Sequence, residues 1–295
     1  MNRMRFDMPW RINWRLGEGT SEELVDAVRR CRPLSVTVQV SGAHHLGALK
    51  LPWEGVSVTA VLEEWSLGAG SLPTEGISRW EFTLAEPGQA DEVVAGSFLG
   101  VPAHRASHSW SPLRGQIRHL PGLLEAAARA GCGLTLPNRP AGVITTLGAD
   151  AFPDPGELDH MTVELIRRQA GLVQPQCLRV HDFILARALG LEGTEPQGCE
   201  AANAIAYIDA EGTVYPCESL MVPLGSLKED DPEAIFRSPV RERIRRDVEG
   251  LPGLCVPCPE LTACVGGCRG AVYHLTGHYA APDPSCPGRA EEHHG

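Results

Sequence analysis

The sequence predicts an α/β protein in two parts. The first is a degenerate, partial (β/α) barrel-like N-terminal domain, and the second is a cysteine-rich domain of a β-hairpin, short helices and loops. Strand-like and helix-like segments alternate over residues 1–190, which is typical of βαβ units and a parallel sheet. Seven of the ten cysteines lie beyond that point. Between the two parts, Leu191–Gln197 is polar and contains Gly and Pro, so it is the predicted boundary.

Local patterns predict the elements of the N-terminal part. Arg11–Leu16 alternates like a short strand, and Thr20 with Glu23 three residues later is typical of a helix start. Leu34–Val40 is β-branched and alternating, which makes it the clearest strand. Gly131 is expected to end a helix rich in Ala and Leu. The other predicted elements are strands at 56–61, 80–84 and 133–137, and helices at 120–130, 157–170 and 183–189. Antiparallel pairing within 55–85 is left open.

The C-terminal part has a different pattern. Ala206–Asp209 and Thr213–Cys217 predict a β-hairpin with Gly212 in its turn. Helices are expected at 232–237 and 239–248, and a loop rich in Gly and Pro at 251–268. The predicted domains are therefore 1–190 and 191–290, with a polar tail at 291–295. A basic cluster in the second helix is interpreted as a solvated face; it consists of Arg241, Arg243, Arg245 and Arg246.

Composition narrows the functional classes. With 43% hydrophobic and 21% charged residues, the chain has the composition of a globular protein. A net charge of −11 argues against a nucleic-acid binder. There is no apolar run of about 18 residues, and the N-terminus lacks the apolar stretch of a signal peptide. We therefore expect no membrane span and a reducing cytoplasm, where clustered cysteines more often bind metal than form disulfides.

The seven C-terminal cysteines follow one ordered spacing. Cys199 is followed by twelve residues, Gly212, four residues and Cys217; the group C-x2-C-x5-C-x3-C at 255–268 and Cys286 come later. Two zinc sites, a disulfide framework and iron–sulfur clusters are all compatible with thiols this concentrated. Three local ligands and a distant fourth are common around iron–sulfur clusters, so clusters are favoured over zinc, and disulfides are the weakest alternative.

This pattern resembles the SPASM domain, the auxiliary-cluster module of many radical S-adenosylmethionine enzymes that modify peptides. The resemblance covers about residues 195–290 and includes the flanking segments Val214–Cys217, Pro223–Gly225, Val265–Arg269 and Asp283–Pro287. It implies two iron–sulfur clusters, usually [4Fe–4S]. By position, the ligands of the second auxiliary cluster are Cys255, Cys258, Cys264 and Cys286. Those of the first are Cys199, Cys217 and Cys268, with Cys177 as a possible fourth.

The radical motif of that family is missing. A radical S-adenosylmethionine enzyme is expected to carry C-x3-C-x2-C just after its first strand, but no cysteine follows Leu16 before Cys31. Cys31 and Cys132 are interpreted as core residues. The N-terminal part therefore resembles a radical-enzyme barrel without its cluster site. The chain is similar to the SPASM-domain proteins of the GeoRSP type, which lack this motif.

The resulting hypothesis is a non-radical iron–sulfur protein with no assigned catalytic residue. It would be a partner or electron-transfer subunit of a radical S-adenosylmethionine/SPASM maturase that acts on a ribosomally made peptide, and that peptide is a possible second partner. No cleavage of S-adenosylmethionine is expected. Two alternatives stay open. The first is an enzyme that uses an open iron of the first cluster. The second is a protein whose fold is stabilised by zinc or a cluster and that only binds a peptide or partner.

Overall fold

A computed structural model describes residues 4–63, 72–85, 99–167, 178–191 and 198–286. These residues form two compact units. The first is drawn from 1–83, 98–106 and 200–247, and the second from 84–97, 107–199 and 248–295. The division of the chain at residue 191 stays a prediction.

The described residues contain the following strands and helices. The strands are β1 (Arg11–Arg15), β2 (Ser35–Val40), β3 (Ser57–Leu62), β4 (Arg79–Thr83), β5 (Ala106–Ser109), β6 (Gly133–Leu136), β7 (Leu178–Val180), β8 (Ile205–Ile208), β9 (Thr213–Tyr215) and β10 (Gly225–Ser226). The helices are α1 (Glu22–Arg30), α2 (Leu120–Ala130), α3 (Ala141–Leu147), α4 (Pro155–Arg167), α5 (Phe183–Ala188), α6 (Pro232–Phe236), α7 (Pro239–Glu249), α8 (Leu261–Cys264) and α9 (Arg269–Thr276).

The sheet of the first unit is mainly parallel. Its strands lie in the order β10-β9-β8-β1-β2-β3-β4. Strands β8, β1, β2, β3 and β4 run parallel, and β9 pairs antiparallel with both β8 and β10. The predicted α/β class and the predicted hairpin are confirmed. The orientation left open at 55–85 is parallel, with Ala60 opposite Trp80.

Alternation in the strands decides which side chains form the core of this unit. Val36, Val38 and Val40 of β2 are buried, while the intervening residues are only partly so. Helix α1 buries Leu24, Val25 and Val28, as its apolar pattern predicts. Its cap is Ser21, whose hydroxyl accepts a hydrogen bond from the Leu24 N–H at 3.3 Å. The prediction of Thr20 as the cap is wrong, because its hydroxyl instead donates to the Gly17 carbonyl.

The second unit contains the parallel strands β5, β6 and β7 with the helices around them. Helix α2 has the predicted bounds and ends at Gly131, which adopts a left-handed conformation with φ of 68°. Cys132 follows it and is buried, as expected for a core residue. Within the described parts of the chain, no helix combines the length and apolarity that crossing a membrane requires.

Helix α7 corrects the interpretation of the basic cluster. Arg241 and Arg245 are 2% and 4% exposed, respectively, and both bind backbone carbonyls within the first unit. Arg241 donates to the carbonyls of Ala202, Asn203, Phe6, Asp7 and Phe236. Only Arg243 and Arg246 are exposed. Half of the cluster therefore fixes the N-terminal segment instead of facing solvent.

Candidate metal centre

The four cysteines assigned to the second cluster all lie in the second unit. Cys255 ends a short 3-10 turn after Pro252, and its carbonyl accepts the Cys258 N–H at 3.1 Å. Cys264 is the last residue of α8, and Cys286 follows a turn closed by its N–H to the Asp283 carbonyl at 3.0 Å. These tight turns arise because Gly and Pro interrupt regular structure throughout 251–268.

Electrostatic coupling indicates that these four thiols are neighbours. Burial raises the pKa of Cys255, and negative charge on Cys264, Cys286 and Cys258 raises it further. Burial also raises the pKa of Cys264, with added contributions from Cys286 and Cys258. Thiolates that interact in this way repel one another, so a bound cation or cluster would stabilise the deprotonated set.

Across the described residues, no three His, Cys, Asp or Glu side chains are spaced to hold a single metal ion. The described residues thus do not show the four thiols arranged around a single ion, and the ligand assignment stays a prediction.

Cys268 and Cys199, in the same unit, interact electrostatically with each other. Burial raises the pKa of Cys268 to about 12, and the charge of Cys199 is the next largest cause. Cys268 also caps α9, since the Ala271 N–H lies 3.4 Å from its Sγ. These two cysteines are coupled to each other, whereas Cys255 and Cys264 are coupled to the other group. The partition of the cysteines between two clusters, which the resemblance implies, stays a prediction.

Asp283 holds the backbone of Cys268. Its Oδ2 accepts the Cys268 N–H at 2.8 Å, and its Oδ1 accepts the Ser285 N–H at 2.9 Å. Ser285 in turn donates through its hydroxyl to the Pro153 carbonyl at 3.1 Å. Burial raises the pKa of Asp283, and the charge of Asp182 adds to that rise. The segment that carries Cys286 is thereby attached to the residue that precedes α9.

Cys217 lies in the first unit, just after the β8–β9 hairpin. The turn is closed by Asp209, whose Oδ1 accepts the Thr213 N–H at 2.8 Å, and Gly212 adopts φ of 90° there. The next residue, Glu218, accepts a hydrogen bond from Gln39 Nε2 at 2.7 Å. This bond attaches the Cys217 segment to the end of β2. That Cys217 ligates the first cluster stays a prediction.

The remaining cysteines are accounted for separately. Cys177 lies outside the described residues. Cys31 is 1% exposed, and burial raises its pKa to about 12, so it is an unreactive core thiol as predicted. Sequence reasoning missed Asp283 and Arg269 as neighbours of the cysteines. Both belong to the quoted segments around Cys286 and Cys268, so their position next to cysteines was the available signal.

Comparison with known proteins identifies the cysteine-rich segment. A family model described as an iron–sulfur cluster-binding domain, SPASM, matches residues 199–259. The chain carries a SPASM domain. The predicted recognition and the expectation of an iron–sulfur-binding protein are therefore confirmed. The number and type of clusters are not part of this finding.

Two curated relatives match the chain over 90 residues. The AdoMet-dependent heme synthase of Methanosarcina barkeri is 32% identical, over 30% of this chain and 26% of the relative. That of Nitratidesulfovibrio vulgaris is 31% identical, over 30% of this chain and 24% of the relative. The chain thus spans about a quarter of the length of these relatives.

Solved structures share the fold over nearly the whole chain. Native anSMEcpe with bound AdoMet and Cp18Cys peptide aligns with a TM-score of 0.64 at 12% identity, covering 96% of this chain and 95% of that one. A histidine-tagged form of anSMEcpe with bound AdoMet aligns with a TM-score of 0.50 at 9% identity, covering 96% and 92%. At such identities the likeness concerns the fold alone, and it confirms the predicted architecture.

Proposed function

We propose that this protein binds two auxiliary iron–sulfur clusters and serves a radical S-adenosylmethionine peptide maturase as a partner or electron-transfer subunit. The observation that carries the proposal is the match of residues 199–259 to the iron–sulfur cluster-binding SPASM domain, and electrostatic effects between the cysteines support it. Cys255 and Cys264 interact with Cys258 and Cys286, and Cys268 interacts with Cys199. Two separate groups of thiols are what two separate clusters require.

The cysteines would have distinct structural roles. The second group would supply four ligands from turns that are closed by their own backbone hydrogen bonds. The first group would take Cys268 from the start of α9, Cys199, and Cys217 from the hairpin, with Cys177 as a candidate fourth ligand. Bound clusters of this kind supply one-electron redox chemistry. The turns and helix ends that carry the cysteines would position the thiolates and determine which residues surround them.

The partner role rests on the motif that the sequence lacks. A maturase must cleave S-adenosylmethionine reductively, and this requires three thiolates around a cluster with one open iron. The 295 residues contain no C-x3-C-x2-C. The strand that such a motif would follow is β1, and the residues after it up to α1 contain no cysteine. We infer that the radical chemistry belongs to another protein, which would act in the cytoplasm together with this one.

Metal analysis after anaerobic purification tests the cofactor part. Two [4Fe–4S] clusters would give about eight irons and eight sulfides per chain and broad visible absorbance. Four irons per chain would contradict the two-cluster proposal. Zinc without visible absorbance would instead support a metal site that only stabilises the fold. A first cluster that binds an added thiol at an open iron would favour the alternative of an enzyme.

Turnover and binding assays test the partner part. Incubation with dithionite and S-adenosylmethionine should yield no 5′-deoxyadenosine, and clear turnover would contradict the non-radical assignment. A maturase encoded beside this protein should bind it at micromolar concentration or tighter. If the maturase turns over at the same rate with and without this protein, the electron-transfer role is contradicted.

A further inference from the structure

Arg269 is a buried cation with much of its hydrogen-bonding capacity unused. It is the first residue of α9, directly after Cys268, and its side chain is 1% exposed. Its Nη1 donates to the carbonyls of Tyr279 and Ala281 at 2.9 and 3.0 Å. Among the described residues, Nε and Nη2 have no hydrogen-bond partner. A buried guanidinium with unpaired N–H groups is energetically unfavourable, so a partner is expected.

The unpaired side of Arg269 lies near the second cysteine group. A Cβ placed on Gly266 would stand 3.6 Å from Nη2, so this nitrogen lies against the glycine two residues after Cys264. The Gly266 backbone N–H is hydrogen-bonded to Cys264, and Cys255 of the same group lies within electrostatic reach of the Arg269 charge.

Asp283 is a nearby acid whose oxygens are already occupied. Both carboxylate oxygens of Asp283 accept backbone N–H groups, from Cys268 and from Ser285. Nε and Nη2 of Arg269 have no such partner among the described residues. A cluster held by four thiolates is anionic and presents sulfur acceptors, which suits a planar, permanently charged donor.

Resting on the proposed cluster at Cys255, Cys258, Cys264 and Cys286, we propose that Arg269 donates N–H···S hydrogen bonds to that cluster and raises its reduction potential. A positive charge and hydrogen bonds to sulfur both stabilise the extra electron of the reduced state. Arg269 thereby opposes the effect of the chain's net negative charge at this one site. It is a positioning and tuning residue, not a ligand.

Redox titration of the anaerobically purified, cluster-loaded protein tests this proposal. Arg269→Gln should shift the potential of the second cluster to more negative values and leave that of the first unchanged, and Arg269→Lys should give a smaller shift. Arg118→Gln is the matched control, because it removes the same charge from an exposed position in the same unit. Cys286→Ser assigns the two potentials, since it should abolish only the second. A full complement of iron with unchanged potentials in Arg269→Gln would overturn the proposal.

A measurement on the wild-type protein covers the case in which the Arg269 variants fail to fold. The chain is produced with 15N-labelled arginine side chains and reduced with dithionite, and nitrogen couplings to the second cluster are recorded by pulsed electron paramagnetic resonance. An arginine 15N coupling is expected, and its absence overturns the proposal. Iron analysis separates the two ideas: a protein without iron at this site contradicts the proposed function, whereas an iron-loaded site without the coupling contradicts only the role of Arg269.

Discussion

Asp283 Oδ2 accepts a hydrogen bond from the Cys268 N–H at 2.8 Å, and this bond connects two segments of the chain that are 15 residues apart in sequence. Cys268 caps the N-terminus of α9, while Asp283 begins the turn that carries Cys286. The predicted ligands of both clusters thus depend on one carboxylate. Its replacement should disturb both cysteine groups and not one alone.

Asp283→Asn should destabilise the protein. The amide keeps the size of the side chain but places an NH2 group against a backbone N–H, so one hydrogen bond is replaced by a repulsive contact. A loss of about 1–3 kcal/mol is expected, which corresponds to a fall of several degrees in the thermal midpoint. Asp159→Asn, at an exposed position of α4, is the control. Equal midpoints for the two variants would contradict the role assigned to Asp283.

Gly267→Ala should be more harmful than Gly277→Ala. Both glycines have positive φ, 75° and 78°, so both substitutions strain the backbone. A Cβ on Gly267 would also collide with the Asp283 carboxylate, whereas nothing lies within 4 Å of one on Gly277. We expect about 1 kcal/mol for Gly277→Ala and at least ~2 kcal/mol for Gly267→Ala, measured by anaerobic thermal unfolding. The reverse order would argue against the packing of Asp283 on Gly267.

Cys286→Ser should remove the second cluster and retain the first. Four thiolates hold a cubane cluster, and serine is a poor substitute for the distant ligand, so iron and sulfide should fall by about half. Cys132→Ser removes a buried thiol outside both groups and should leave the iron content unchanged. Loss of all iron in Cys286→Ser, or of none, would contradict the partition of the cysteines.

The sequence predicts the elements whose local pattern is strong. Helix α2 and strand β2 lie where composition and alternation place them, because β-branched alternation and an Ala- and Leu-rich run ended by Gly are unambiguous signals. Strand β5, with the sequence Ala-Ser-His-Ser, has no such signal. It is extended because it pairs with β6, where Ser107 lies opposite Gly133. That pairing is tertiary, so local propensity could not reveal it.

The candidate site, like the fold, is predicted by the sequence only in part. The resemblance to the SPASM domain implies the two thiol groups from the positions of the cysteines, and this partition stays a prediction. The positions do not reveal that Asp283 binds the Cys268 backbone or that Arg269 is buried against the carbonyls of Tyr279 and Ala281. Both depend on how the segment around residue 283 folds back on α9, across 15 residues. The burial of Arg241 was missed for the same reason, since its partners near residues 6 and 203 are remote in sequence.

Arg241→Lys should therefore release the N-terminal segment of the first unit. The guanidinium reaches carbonyls on three segments at once, including those of Phe6 and Asn203 at 2.9 and 3.0 Å. A lysine ammonium presents its donors at one point, so several buried carbonyls would lose their partner at a cost of about 2–3 kcal/mol. Arg243→Lys changes an exposed residue of the same helix and should cost less than about 0.5 kcal/mol. Hydrogen exchange of residues 4–10 should rise only in Arg241→Lys. Protection equal to that of Arg243→Lys would mean that the N-terminal segment is held by other contacts.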